Sequence, residues 1–170
     1  LVLLVRTYLA MGDMQRAGTL LIDVEKLVEQ YDTEGFAPVV HAWRARIHAQ
    51  LGNEDEARAA LLRAESIAER RWSYQVVRVQ LNMAKAHELL GDREKTAELA
   101  AEALRIADAS GYRHYAMRAR QIVARTTEDP AIAVKQRRVA EALARSLAAT
   151  LPPEQSRSFL AAQGLDVSGG

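Results

Sequence analysis

The chain contains no cysteine. A disulfide framework, thiolate chemistry and a cysteine-built metal site are therefore excluded. Aromatic side chains are scarce, at 5% of residues, which leaves little stacking surface for a nucleic acid. A strong charge of one sign is missing too. The formal net charge is +1, so the chain as a whole has no nucleic-acid-like bias. No apolar run approaches the ~18 residues that a membrane span requires. The apolar stretch from Leu1 to Val5 lacks a basic leader and a cleavage site, so it does not read as a signal peptide. These absences point to a cytoplasmic protein. The chain also begins without Met, inside an apolar helical pattern, which predicts a piece of a longer polypeptide.

The equipment for catalysis is equally thin. There is no nucleophile elbow, no glycine-rich phosphate loop and no evident pair of carboxylates. The segment is not expected to be an enzyme. His41 and His48 lie seven residues apart on one helical pattern without a third ligand, and zinc needs three or four converging ligands. No metal and no cofactor are expected. Glu54, Asp55 and Glu56 fall in a first helical turn, where the helix dipole favours them, so their role is local.

What is present is a helix-forming alphabet. Hydrophobic residues make up 49% of the 170 positions, enough for a real core, and Ala, Leu, Arg and Glu dominate. One turn recurs within it: Met11-Gly12-Asp13, Leu51-Gly52-Asn53 and Leu90-Gly91-Asp92. The glycines are 40 and 39 residues apart, a period typical of stacked supersecondary units. Glycine ends one helix in the left-handed conformation, and the following Asp or Asn accepts backbone N–H groups to start the next. Each unit is thus a helical hairpin.

In order, the first helix is expected over about 1–11, with Leu1, Leu4, Val5 and Tyr8 on one face. Its partner runs over about 14–30, with Ala17, Leu20, Leu21, Val24, Leu27 and Val28 as its apolar stripe and Glu25 and Glu29 solvated. After a connection over 31–35, a second hairpin has Pro38 in its first turn and helices ending near 51 and 71. Ser73 is the expected cap of the third, with helices over about 74–90 and 93–110, stopped by Gly111. The fourth has Tyr115, Ala119, Ile122 and Val123 as its first face, and its turn, Thr126 to Pro130, has lost the glycine. Asp129 followed by Pro130 still starts a helix, which should run to about 150. Pro152 and Pro153 break it, a last short helix reaches about 163, and 167–170 should fray.

Three small-residue positions recur with the turn: Val5, Ala17 and Val24; Ala45, Ala57 and Ala64; Ala84, Thr96 and Ala103. With the stretches LGNEDEARAALLRAESIA and LGDREKTAELAAEALRIA, this pattern resembles the tetratricopeptide repeat. The resemblance covers about 1–111 clearly and 112–150 weakly. It departs from that family in its longer period, against ~34 residues, and in carrying Leu1, His41 and Gln80 at the usual Trp position. Such long repeats resemble those of bacterial signal-transduction ATPases and of serine/threonine kinases with repeat tails. The resemblance implies an all-α fold: a right-handed superhelix of about four hairpins (about 1–35, 36–72, 73–111 and 112–150), with 151–170 as a C-terminal capping helix and tail.

In such a superhelix the first helices line the concave face. Counting back from the turn, one inward position holds Arg6, Arg46 and Lys85, and the apolar position one turn earlier holds Val2, Ala42 and Leu81. Trp43, Arg78 and Asn82 lie beside this column. A peptide-binding groove is therefore expected at Arg6, Ala42, Trp43, Arg46, Arg78, Leu81, Asn82 and Lys85, suited to an acidic or carboxylate-bearing peptide. The competing reading is a solvated face, since any exposed helix of this composition carries a base every few residues. His48 and His87 share a repeat position with Tyr8 and are expected between the paired helices.

Charge is unevenly divided, with a net of −3 over 1–111 and +4 over 112–170. Arg118, Arg120, Arg125, Lys135, Arg137 and Arg138 form a second basic cluster, but few aromatics accompany it, which disfavours nucleic acid. The function expected is protein–protein or peptide recognition, as a sensor or scaffold segment of a larger bacterial signalling or transcription-regulatory protein. The partner would be an acidic peptide, a protein or another domain of the same chain. The alternatives are a self-association module forming a homodimer, and the non-catalytic tail of an enzyme whose catalytic domain lies elsewhere.

Overall fold

The computed structural model describes residues 1–31, 35–68 and 73–165, and of residues 68, 73 and 74 it describes only the backbone. Among the described residues the chain forms nine α-helices and no strand. They are α1 (Val2–Met11), α2 (Met14–Gln30), α3 (Ala37–Gln50), α4 (Glu54–Ala68), α5 (Ser73–Leu89), α6 (Arg93–Ala109), α7 (Arg113–Thr126), α8 (Pro130–Ala148) and α9 (Pro153–Ala162). The first eight form four successive pairs, and α9 packs on α8. The pairs stack because α3 packs on α5, α6 on α7, and α2 on α3. Ser73, expected to cap the third pair, is instead the first helical residue of α5, while the stretch of helix to residue 71 and the frayed end at 167–170 lie outside the described residues.

The recurring turn has one local cause. Gly12, Gly52 and Gly91 all have φ between 76° and 79°, a left-handed backbone that β-carbons disfavour. The residue after each glycine then donates its N–H five residues back: Asp13 to Tyr8, Asn53 to His48 and Asp92 to His87, at 2.9–3.0 Å. This closes the C-terminal carbonyls of the outgoing helix. Asp13 and Asp92 then accept from the backbone N–H of Arg16 and Lys95, each at 3.1 Å, and cap the incoming helix. Asn53 differs, its side-chain amide lying 3.4 Å from His48 Nδ1. The same device, with Gly111 and Tyr112, separates α6 from α7. The fourth hairpin turns without glycine, and there Asp129 Oδ1 caps α8 through the N–H of Ala131 and Ile132.

The small residues explain the spacing of the pairs. All nine recurring small positions, from Val5 to Ala103, are at most 2% exposed. They carry little side-chain volume, so paired helices can approach closely there. Thr96 fits such a site because its hydroxyl turns back to the Asp92 carbonyl at 2.6 Å.

The first pair departs from the sequence reading. Val5 and Leu9 are buried, whereas Leu1 and Leu4 are about half exposed and Leu3 more so. Helical spacing gave α1 one apolar face, but only α2 covers it closely. Leu27 is exposed as well. Glu25, expected in solvent, is part-buried against Arg44 on α3. Burial raises its pKa, and the Arg44 charge and hydrogen bond only partly offset this. His87 is buried, with Nδ1 3.0 Å from Asp92 Oδ2, while Tyr8 and His48 are half-buried.

Two substitutions test this packing in denaturant melts. A β-carbon at Gly52 meets nothing within 4 Å, so Gly52→Val should cost about 1 kcal/mol through backbone strain alone. Gly52→Asn should cost clearly less, because asparagine tolerates left-handed backbone; equal losses would point to a lost contact instead. Ala57→Leu should destabilise by ~1–3 kcal/mol through overpacking, and an unchanged midpoint would mean that α3 and α4 are not in close approach.

Candidate functional site

Stacking places the four first helices of the pairs, α1, α3, α5 and α7, around one concavity. It encloses about 610 Å3, and Gln163 at the end of α9 reaches its edge. α1 contributes Leu3, Arg6, Thr7, Leu9, Ala10 and Met11; α3 contributes Trp43 and Arg46; α5 contributes Arg78 and Asn82. α7 adds His114, Tyr115, Met117, Arg118 and Gln121. Four arginines and one histidine thus line a cavity in which, among the described residues, no lining residue is Asp or Glu. The volume falls within the range of ligand pockets, ~300–1,000 Å3.

Each arginine is held differently. Arg46 sends Nη2 to the Leu9 carbonyl at 2.8 Å. That carbonyl belongs to the last turn of α1, whose dipole attracts a cation. The bond ties the first pair to the second and fixes the guanidinium, while its buried Nε has no partner. Burial, together with the nearby Arg118 charge, pulls the Arg46 pKa down to about 10. Arg78 lies against two rings, 5.4 Å from the Phe36 centroid and 5.6 Å from that of Trp43, which themselves meet edge-on. This cation–π contact holds Arg78 at the junction of the second and third pairs. Arg118 is pushed to lower pKa by burial and by Arg6, partly offset by Tyr115. Arg6 is exposed on the wall formed by α1.

The eight residues anticipated as a groove therefore divide. Arg6, Trp43, Arg46, Arg78 and Asn82 line the same cavity. Ala42 and Leu81 do not: both are buried core, at 0% and 1% exposure. α3 and α5 each pack against neighbours on several sides, so a position one turn from an inward base is already interior. Lys85 is also outside the lining. Its Nζ is 2.7 Å from Glu88 Oε2, and Glu88 also accepts from Arg125 Nε on α7 at 2.9 Å. Burial opposes ionisation of Glu88, but hydrogen bonds from Arg125 and Lys85 outweigh it and lower its pKa.

The contribution of α7 was not anticipated. Its turn has no glycine from which to count, so Arg118 appeared only as part of a basic cluster. The structure breaks that cluster up. Arg120 pairs with Asp108 at 2.6 Å and also reaches Gln136, and Arg125 pairs with Glu88. Lys135, Arg137 and Arg138 are exposed on α8, and Arg118 alone enters the cavity. The positive surplus of 112–170 was the one available signal. Among the described residues no group of three or more His, Asp or Glu side chains is placed to hold a metal ion. No described helix is long and apolar enough to cross a membrane.

His114 reports on the field in the cavity. Its ring keeps access to solvent, yet the protein around it lowers its pKa below 6.5, and the charges of Arg118 and Arg6 add to the effect. Burial and both arginine charges all oppose protonation of the imidazole. An NMR titration should place its midpoint below 6.5, and Arg118→Gln should move the midpoint upward. A midpoint unmoved by that change would separate the two side chains.

A family model described as the tetratricopeptide repeat matches residues 40–71, the second helical pair. No curated protein and no solved structure matches the chain. With that match on the second pair, and four stacked pairs of which the first three share one turn and one set of buried small positions, the chain is a tetratricopeptide-like helical-repeat domain.

Proposed function

We propose that the cavity between α1, α3, α5 and α7 binds an acidic segment of a partner protein or of another domain of the same chain. The observation that carries this is the lining itself: Arg6, Arg46, Arg78 and Arg118 together, with no acid among the described lining residues. Like charges held together repel, and the surrounding protein weakens the screening that water supplies. An anionic segment relieves that repulsion and gains charge-assisted hydrogen bonds. Leu3, Leu9 and Met11 give an apolar wall beside the cations, which suits a segment of mixed acidic and apolar residues. Tetratricopeptide repeats generally bind proteins or peptides, which supports the same class of partner. In this reading the chain is a sensor or scaffold segment of a larger bacterial signalling or transcription-regulatory protein, working in the cytoplasm. Residues 1–150 form the repeats, wound as a right-handed superhelix, and 151–170 form the cap.

A second reading, self-association, is favoured by one observation: Leu1, Leu3, Leu4 and Met11 are exposed along α1. Light scattering separates the two. A stable dimer that loses affinity for acidic peptides on association would favour the second.

For the first reading, an acidic peptide should bind with an affinity that falls from about 0.05 M to about 0.5 M salt. Arg6→Glu combined with Arg118→Gln should weaken binding at least about tenfold, or ~1.4 kcal/mol. Lys85→Gln should leave it nearly unchanged, because Glu88 already holds that ammonium. Calorimetry in which the Lys85 change abolishes binding, or the arginine pair leaves it intact, would contradict the assignment.

A further inference from the structure

The charge gathered in the cavity exceeds what one carboxylate neutralises. Some cations meet acids, as Arg16 does Asp13, Arg105 does Glu102 and Arg120 does Asp108, and others, such as Lys135, Arg137 and Arg138, stand exposed on α8. Arg6, Arg46 and Arg118 differ from both groups: among the described residues no carboxylate pairs with any of them, and they share one cavity. Arg46 is also fixed in advance, with one nitrogen bound to the Leu9 carbonyl and a buried Nε left without a partner.

The type of cation matters as well as the number. Among the described lining residues the permanent cations are all arginine, and Lys85, which the repeat position would have supplied, is taken up by Glu88 outside it. A planar guanidinium donates in a fork that fits a tetrahedral oxyanion on two oxygens at once. A carboxylate brings one negative charge and two oxygens. A phosphoryl group brings ≈ −1.5 to −2 and three acceptor oxygens at neutral pH, which matches several guanidiniums lining one cavity better. Asn82 and Gln121 also line the cavity, with one amide N–H of each already donated, to the Arg78 carbonyl at 2.8 Å and to Gln163 Oε1 at 2.9 Å.

We propose that the cavity seats a phosphoryl group, carried on a side chain of the bound segment, so that Arg6, Arg46 and Arg118 form a phosphate-recognition cluster assembled from three different repeats. This rests on the peptide-binding reading above and narrows its ligand to a phosphorylated segment. It also makes recognition switchable, because adding or removing one group on the partner changes the charge at the cluster.

The test compares three matched peptide libraries, randomised around a central phosphoserine, a glutamate or a serine, by fluorescence polarisation against the whole chain. The phosphoserine library should bind at least about tenfold tighter than the glutamate library, and inorganic pyrophosphate should displace it. Arg118→Gln should erase the preference. Because Arg118 is partly buried and its loss can disturb folding, the exposed Arg6→Gln provides a second variant, expected to reduce the preference several-fold while leaving the melting curve unchanged. Arg138→Gln, on the exposed side of α8, should change nothing. Equal binding of the phosphoserine and glutamate libraries would overturn the phosphoryl assignment and leave the acidic-segment reading standing. Binding of pyrophosphate without any phosphopeptide would overturn the peptide source. Failure of all three libraries would overturn both readings.

Discussion

The close approach of paired helices is the constraint on which the rest of the structure depends. At nine recurring positions the side chain is small and almost fully buried, so each hairpin closes tightly and presents a narrow edge to the next. Narrow edges let the first helices stack at short range, with α3 on α5 and a smaller contact between α5 and α7. Short-range stacking turns four separate helix faces into one concavity. A larger residue at Ala57 or Ala84 would wedge a pair open and widen the spacing between layers, which would disperse the arginines even though none had been changed.

The cross-links between layers are polar, and each does more than hold the stack. Arg46 closes the end of α1 through the Leu9 carbonyl. Arg78 bridges the second and third pairs over Phe36 and Trp43. Glu88 joins α5 to α7 by holding Lys85 and Arg125. The first two bring a positive charge to the cavity, and the third shares one carboxylate between two cations outside it. Positive charge is therefore concentrated where it faces the concavity and partly offset beside it. This sorting, rather than the net charge of +1, gives the molecule its electrostatic character.

Much of the fold was legible because its signals are local. A glycine followed by Asp or Asn marks a helix end and the next helix start within three residues, and the spans of α2, α5 and α6 follow from it closely. Small residues at fixed offsets from that turn gave the packing register. The site was less legible. Arg6, Arg46, Arg78, Trp43 and Asn82 were reachable by counting from the turn, but the same counting placed Ala42 and Leu81 at the surface, where neighbouring layers cover them. It also placed Lys85 in the row without seeing that Glu88 captures it. Arg118, His114 and Tyr115 sit on the helix whose turn lost the glycine, so counting had no origin there. Leu1 and Leu4 share a face with buried Val5 yet stay exposed, because helical periodicity defines a face and only tertiary contacts decide what covers it.

The central claim is that these arginines act together as one anion-binding surface. The most direct measurement is an NMR titration of the arginine Nε–H resonances with a short acidic peptide. The Arg46 and Arg118 signals are expected to shift together, along one saturating curve, while those of Arg137 and Arg138 stay still. Shifts confined to the α8 arginines, or separate curves for Arg46 and Arg118, would contradict it.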